Sequence, residues 1–212
     1  MNVRDAYNQW AGTYDSDRNL TRDLDQAVTR ETLGNGRYIS ILELGCGTGK
    51  NTVLLAQLGE RVQSLDFSEE MLSQARAKQP GANVTFSVAD LTQPWPCADR
   101  SVDLVVCNLV LEHIADLHFI FAEAARVLVE GGRFFVCELH PFKQYQGSVA
   151  VFGRGAEQTS IPAFVHHISD FVAAADSADL RLASLKEWWH EADQNTVPRV
   201  VSFLFEKLMI RR

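Results

Sequence analysis

Cysteine is scarce and carries no pairing pattern. Cys46, Cys97, Cys107 and Cys137 form no Cys-x-x-Cys, and three of the four fall in expected buried strands or a glycine turn. That spacing argues against structural zinc and against a disulfide. No metal site is expected, and the thiols read as small core residues of a reducing compartment. Long apolar runs are missing too: none approaches about 18 residues, the length that signals a membrane span. The opening Met-Asn-Val-Arg-Asp-Ala has no signal-peptide core. A cytoplasmic protein with no membrane partner is therefore expected. Positive charge is in deficit, with 20 Lys and Arg against 27 Asp and Glu and a net charge of −7. The cations are also dispersed, which speaks against a nucleic-acid partner. With no repeat, low-complexity tract or linker, the 212 residues, 46% of them hydrophobic, are read as one domain with a substantial core.

What is present is concentrated in residues 41–49, Ile-Leu-Glu-Leu-Gly-Cys-Gly-Thr-Gly. A hydrophobic run from Tyr38 to Leu44 stops at Gly45, Gly47 and Gly49, and helical spacing of Val53, Leu54 and Leu58 follows. A buried strand feeding a glycine turn that opens a helix lets a ligand lie against main chain, because glycine has no Cβ and tolerates positive φ. The next strand-like run, Val62 to Leu65, ends in Asp66. A carboxylate about twenty positions after the first glycine can accept hydrogen bonds from both hydroxyls of a ribose. Turn, helix and acid together point to a nucleoside-containing cofactor.

Strand and helix periods alternate between residues 38 and 138. Strands fit 38–44, 61–65, 84–88, 102–108 and 133–138, and helices fit 50–58, 68–79 and 117–130. Ser68 is placed to cap the second helix and Gly131 to end the third. A further helix fits 169–178 with Ser169 as its cap, and strands fit 181–189 and 199–208. The pattern predicts an α/β fold built on a doubly wound, mostly parallel sheet. Within the single domain over 1–212, a helical cap covers 1–35 and the cofactor-binding core 36–138. An insertion covers 139–168, and a final helix and strand hairpin 169–212.

The pattern acid-x-Gly-x-Gly-x-Gly, beginning at Glu43, resembles motif I of the class I S-adenosylmethionine-dependent methyltransferases. The resemblance extends through Val62–Ser68 as the second strand, Val88–Leu91 as the adenine-binding turn, Ser101–Asn108 as the fourth strand and Ala125–Arg133 leading to the fifth. It implies a Rossmann-like sheet of seven strands, the last antiparallel. It also implies S-adenosylmethionine as cofactor and in-line methyl transfer to a small-molecule acceptor, as in the ubiquinone- and biotin-pathway branch. By the same resemblance Gly45, Cys46 and Gly47 approach the methionine end and Asp66 holds the ribose. Phe67 and Met71 adjoin the adenine, and Ala89, Asp90 and Leu91 line its edge. Asn108 follows the fourth strand, and Tyr14 closes over the ligand. Plainer roles stay open: Asp66 and Asp90 as caps, Met71 as core, Glu43 as a brace for the turn.

A general base matters in such a reaction only where the acceptor must lose a proton. Glu112, His113, Glu138 and His140 follow strands that point at the ligand, and His113, His140 and His167 are the expected catalytic residues. Lys143, Tyr145 and His166 are the expected acceptor contacts, with Lys143 a counter-ion to a carboxylate or phosphate. Phe142, Tyr145, Phe152 and Phe164 make the insertion an apolar lid that sets acceptor choice. Two rival readings fit the same motifs. An NAD(P)-dependent oxidoreductase is favoured by Asp66 but opposed by Lys50, which stands where Gly-x-Gly-x-x-Gly has its third glycine. A non-catalytic partner subunit is opposed by the intact turn with Asp66 and Asp90. A monomer or homodimer is expected.

Overall fold

The computed structural model describes residues 2–148, 150–152 and 159–209; the side chains of Val151, Phe152 and Thr159 lie outside that description, and with them the lid role expected of Phe152. Two N-terminal helices, α1 (Val3–Trp10) and α2 (Leu20–Leu33), precede a seven-stranded sheet. Its parallel part is β1 (Tyr38–Leu44), β2 (Gly59–Asp66), β3 (Val84–Val88), β4 (Val102–Asn108) and β5 (Leu128–Leu139). After a two-stranded ladder, β6 (Val151–Phe152) with β7 (Thr159–Ser160), come β8 (Leu180–Trp188) and β9 (Val200–Lys207). β9 inserts antiparallel between β5 and β8, giving the order β3-β2-β1-β4-β5-β9-β8. This is the mostly parallel α/β sheet that the motifs imply. The chain winds outward from β1 to β3, then returns to β4 on the other side of β1. The crevice at their carboxyl ends is the switch point where open α/β sheets bind ligands.

Helices α3 (Thr52–Leu58), α4 (Glu69–Ala77), α5 (Leu117–Val127), α6 (Pro141–Tyr145) and α7 (Ile168–Ser177) complete the fold. Period-two alternation sends Phe134 and Val136 of β5 into the core under α5 and α7, and Phe135 and Cys137 into the core under α2 and α3. With both faces covered, β4 reads as a nearly unbroken apolar run. Its one charged residue, Asp103, accepts from the main-chain N–H of Ile39 (2.9 Å) and Ser40 (2.7 Å), before the β1–β4 ladder starts at Ile41 and Leu104.

Several expected boundaries move. α5 ends at Val127 and β5 begins at Leu128 rather than 133, because Leu128 already pairs with Val102. The irregularity between that pair and the next holds Gly131, at φ +75°. α3 starts at Thr52, since the glycine turn continues past Gly49. α7 starts at Ile168 with His167, not Ser169, at its N-cap, and Asp170 accepts from the His167 N–H at 2.8 Å. Ser68 caps α4 as expected, its Oγ accepting from the Met71 N–H. Among the described residues no helix is long and apolar enough to cross a membrane.

Candidate functional site

The glycine turn after β1 takes positive φ at Gly45 (+64°), Gly47 (+53°) and Gly49 (+78°). A Cβ on Gly45 would lie 2.3 Å from Val110 Cγ2, so the loop after β4 leaves room for glycine alone. At Gly47 the corresponding position meets nothing within 4 Å. Beneath the turn, buried Glu43 accepts from Thr52 Oγ1 and Ser64 Oγ, both at 2.6 Å, and burial raises its carboxyl to about 7. It ties β1 to α3 and β2, the bracing role among the alternatives. At the end of β2, Asp66 accepts from the N–H of Gly47 (2.8 Å) and of Ser68 (2.9 Å), and burial pushes its carboxyl up to about 6. Each carboxylate oxygen keeps a second lone pair.

A cavity of about 200 Å³ sits over this turn. Gly45, Cys46 and Gly47 form part of its wall, as do Asp66 and Phe67 after β2, Ala89, Asp90 and Leu91 after β3, and Asn108 and His113 at and after the end of β4. Asp90 accepts from the Thr92 N–H (3.0 Å) and hydroxyl (2.7 Å), the capping role, while still lining the cavity. The N-terminal helices close the site with Tyr7, Tyr14, Arg22 and Asp25. Asp25 is buried and accepts from Asn51 Nδ2 (2.9 Å) and Asn108 Nδ2 (2.5 Å), joining α2 to both sides of the switch point. Asn51 Oδ1, also buried, has no partner among the described residues. The Arg22 guanidinium lies 3.9 Å from the Tyr14 ring centroid and donates to the main-chain oxygens of Tyr14 and Asp17.

Of the three expected bases, the described cavity wall contains only His113. Its Nδ1 donates to the Pro162 carbonyl (2.9 Å), which leaves the Nε2 lone pair to accept from the Tyr7 hydroxyl (2.9 Å). Burial lowers the pKa of His113 and keeps the imidazole neutral. His140 and His167 are elsewhere, a correction to their expected role. His140 is the N-cap of α6: Nδ1 accepts from the Phe142 N–H (3.1 Å), so Nε2 donates to Glu187 (2.8 Å). His167, at the N-cap of α7, is bonded through Nδ1 to the Tyr145 hydroxyl (2.5 Å). Tyr145 thus points to His167 and is not among the described wall residues of the cavity. His166 Nε2 donates to the carbonyls of Leu111 (3.2 Å) and Ile114 (2.8 Å), bracing the turn that carries His113. Met71 is core, 1% exposed. Lys143 pairs with Asp193 and faces a second cavity.

Tyr7, Arg22, Asp25 and Asn51 were not among the expected site residues. For α2 the signal was a polar stripe, Arg22, Asp25 and Thr29, at helical spacing beside Val28 and all buried. A buried polar stripe marks a helix face turned to other polar groups rather than to a plain core.

A family model described as a methyltransferase domain matches residues 42–136. A demethylmenaquinone methyltransferase of Tropheryma whipplei (strain Twist) is 30% identical over 197 residues, covering 91% of this chain and 79% of that protein. A chain from the complex between the Haloferax volcanii Trm112 methyltransferase activator and a methyltransferase superposes with a TM-score of 0.78 at 20% identity, covering 99% of both chains. The N-methyltransferase NodS of Bradyrhizobium japonicum WM9, solved with S-adenosyl-L-homocysteine, superposes with a TM-score of 0.73 at 16% identity, covering 98% of this chain and 99% of that one.

Proposed function

The chain belongs to the S-adenosylmethionine-dependent methyltransferases, and from that premise we propose which residues hold the cofactor and which serve the small-molecule acceptor. When bound, S-adenosylmethionine supplies a methyl already activated on a sulfonium, open to in-line displacement by a nucleophile. The residues of the first cavity fit it. Gly47 leaves open space where any side chain would intrude. Asp66 has lone pairs to spare for a ribose diol, Asp90 and the Leu91 amide suit an adenine edge, and Phe67 and Ala89 offer apolar contact. The methionine end is zwitterionic, and Asn51 Oδ1 with the Asp25 carboxylate suits its amino group, while Arg22 and Tyr14 stand on the same wall. The orphaned Asn51 Oδ1 carries this reading: an unsatisfied buried acceptor costs about 1–3 kcal/mol, which a bound amino group relieves.

On the acceptor side the protein has mainly to orient and to exclude water, tasks of the α1 roof and the lid. Where the acceptor carries a proton, His113 Nε2 is the basic atom that receives it, in the place now taken by the Tyr7 hydroxyl.

Calorimetry tests the cofactor side. Asp66→Ala is expected to bind S-adenosylmethionine about tenfold to a hundredfold more weakly, a loss of roughly 1.5–3 kcal/mol, with NAD giving no heat on either protein. Since burial holds Asp66 at about 6, wild-type affinity should also decline below that pH as the carboxylate takes up a proton. Unchanged affinity in the folded variant would remove the ribose assignment. On the acceptor side, His113→Ala should lower turnover on a proton-bearing acceptor at least about tenfold without altering cofactor affinity. The wild-type rate should hold below the ordinary imidazole range before falling, because the pKa of His113 is lowered, and the variant should lose that acid limb. A full rate in His113→Ala leaves orientation as the whole of the protein's contribution.

A further inference from the structure

A second cavity, of about 410 Å³, lies against the first and shares Tyr7, Tyr14, Arg22 and Leu109 with it. Trp10, Leu20 and Leu139 give it apolar walls, and Arg18, Lys143 and Arg199 face it together with Glu112. A cavity this rich in cations runs against the chain's net charge of −7. Lys143 and Arg199 are each only 14% exposed, and both lean on one carboxylate, Asp193. Arg199 donates to both Asp193 oxygens at 2.7 Å and Lys143 to one at 3.2 Å. Two cations on one carboxylate leave a positive charge withdrawn from water, a costly arrangement unless a further anion compensates it. Arg18 is exposed and makes no hydrogen bond or ion pair among the described residues. Glu112, held at about 7 by burial, offsets this charge only in part at neutral pH.

We propose that the second cavity is the acceptor site, and that the acceptor carries an anionic group, carboxylate or phosphate. Lys143, Arg199 and Arg18 hold that group, Trp10 and Leu20 flank the apolar body, and the reacting end meets the wall at Tyr7 and Leu109. The proposal rests on the reading that the first cavity holds the cofactor, since the two cavities meet at Tyr7, Tyr14, Arg22 and Leu109 and the acceptor's reacting end then faces the methyl donor there, as in-line displacement requires. Lys143 keeps the counter-ion role that its residue type suggested, from a different chamber than the one over the glycine turn.

Titration calorimetry on the full chain saturated with S-adenosylhomocysteine tests it with small probes: 3,4-dihydroxybenzoate, its amide, and phenyl phosphate. An anionic probe is expected to bind at least tenfold tighter than the amide. Lys143→Gln with Arg18→Gln should weaken the anion about tenfold and leave the amide and S-adenosylhomocysteine unchanged. Arg199 stays in place to hold Asp193, so the fold survives. Preference between the carboxylate and the phosphate probe names the group. Equal affinity for acid and amide, or no anion binding tighter than about 1 mM, would overturn the proposal. Failure of S-adenosylhomocysteine itself to bind would overturn the cofactor reading and this one with it.

Discussion

Gly47→Val is expected to abolish binding of S-adenosylmethionine, a loss of at least a hundredfold by calorimetry, in a protein that still folds. Beyond the adjoining residues of the chain, no protein atom lies within 4 Å of the Cβ that valine would add, so the Cβ itself meets open space. The added methyl groups instead enter the cavity wall where the turn offers its main chain. Positive φ at +53° adds strain of about 1–2 kcal/mol for a residue with a Cβ. A matched control separates strain from obstruction. Gly131 also has positive φ, +75°, and nothing within 4 Å, but it sits in the irregular start of β5, off the cavity. Gly131→Val should lower stability and leave affinity intact. Lys50→Ala should be nearly silent although Lys50 belongs to the cavity wall, because its ammonium is turned to exposed Asp23 (2.5 Å) and such pairs contribute about 0–1 kcal/mol. Cofactor affinity surviving in Gly47→Val would mean that the ligand does not lie against this turn.

A second large effect concerns stability against pH. Glu138, fully buried at the end of β5, accepts from the N–H of Val110 (2.9 Å) and Leu111 (3.0 Å) through one oxygen, while Oε2 has no partner among the described residues. Burial raises its carboxyl from the ordinary 4.5 to about 8. Between those values the folded protein holds a proton that the unfolded chain has released. Stability therefore falls as pH rises through that window and levels off above it, at up to about 1.4 kcal/mol for each pH unit. Glu138→Gln keeps the accepting oxygen and has no proton to lose. Urea unfolding between pH 5 and 8.5 should show a shallower decline for the variant, with its advantage over wild type greatest at the alkaline end. The slope will not vanish, because Glu43 and Glu112, each raised to about 7, act in the same direction. Parallel wild-type and variant curves would mean that Glu138 is charged in the folded protein.

The parts of this molecule legible in its sequence are those whose cause is local. β4 and the second half of β1 are buried on both faces and are largely apolar, and the glycine turn is a contiguous motif with Asp66 at the end of the next strand. The end of α5 is not legible in the sequence, because helical spacing continues past Val127 although Leu128 is already taken by Val102 of another strand. The partners of His140 and His167 are hidden from the sequence for a similar reason. Nothing around His140 indicates that its ring meets Glu187, a partner 47 positions away, and a capping histidine looks like a catalytic one until that partner is known. Asp25 and Tyr7 give no such local sign, because each gains its place only when a separate helix folds across the sheet to meet Asn108 and His113.

Asp103 gives the cavity a dependence on the opposite edge of the sheet. By gripping Ile39 and Ser40 it fixes how far β1 is slid along β4 at the point where their ladder starts. A strand resists compression along its length, so an error of alignment introduced there arrives undiminished at the other end. One residue of slip is about 3.3 Å and exchanges inward for outward at every position. Glu43 would then face away from Ser64 and Thr52, and Gly45 would no longer stand opposite Val110. The carboxylate of Asp103 works as a stop against which the glycine-turn end of β1 is measured, although it is not among the described residues that line the cavity.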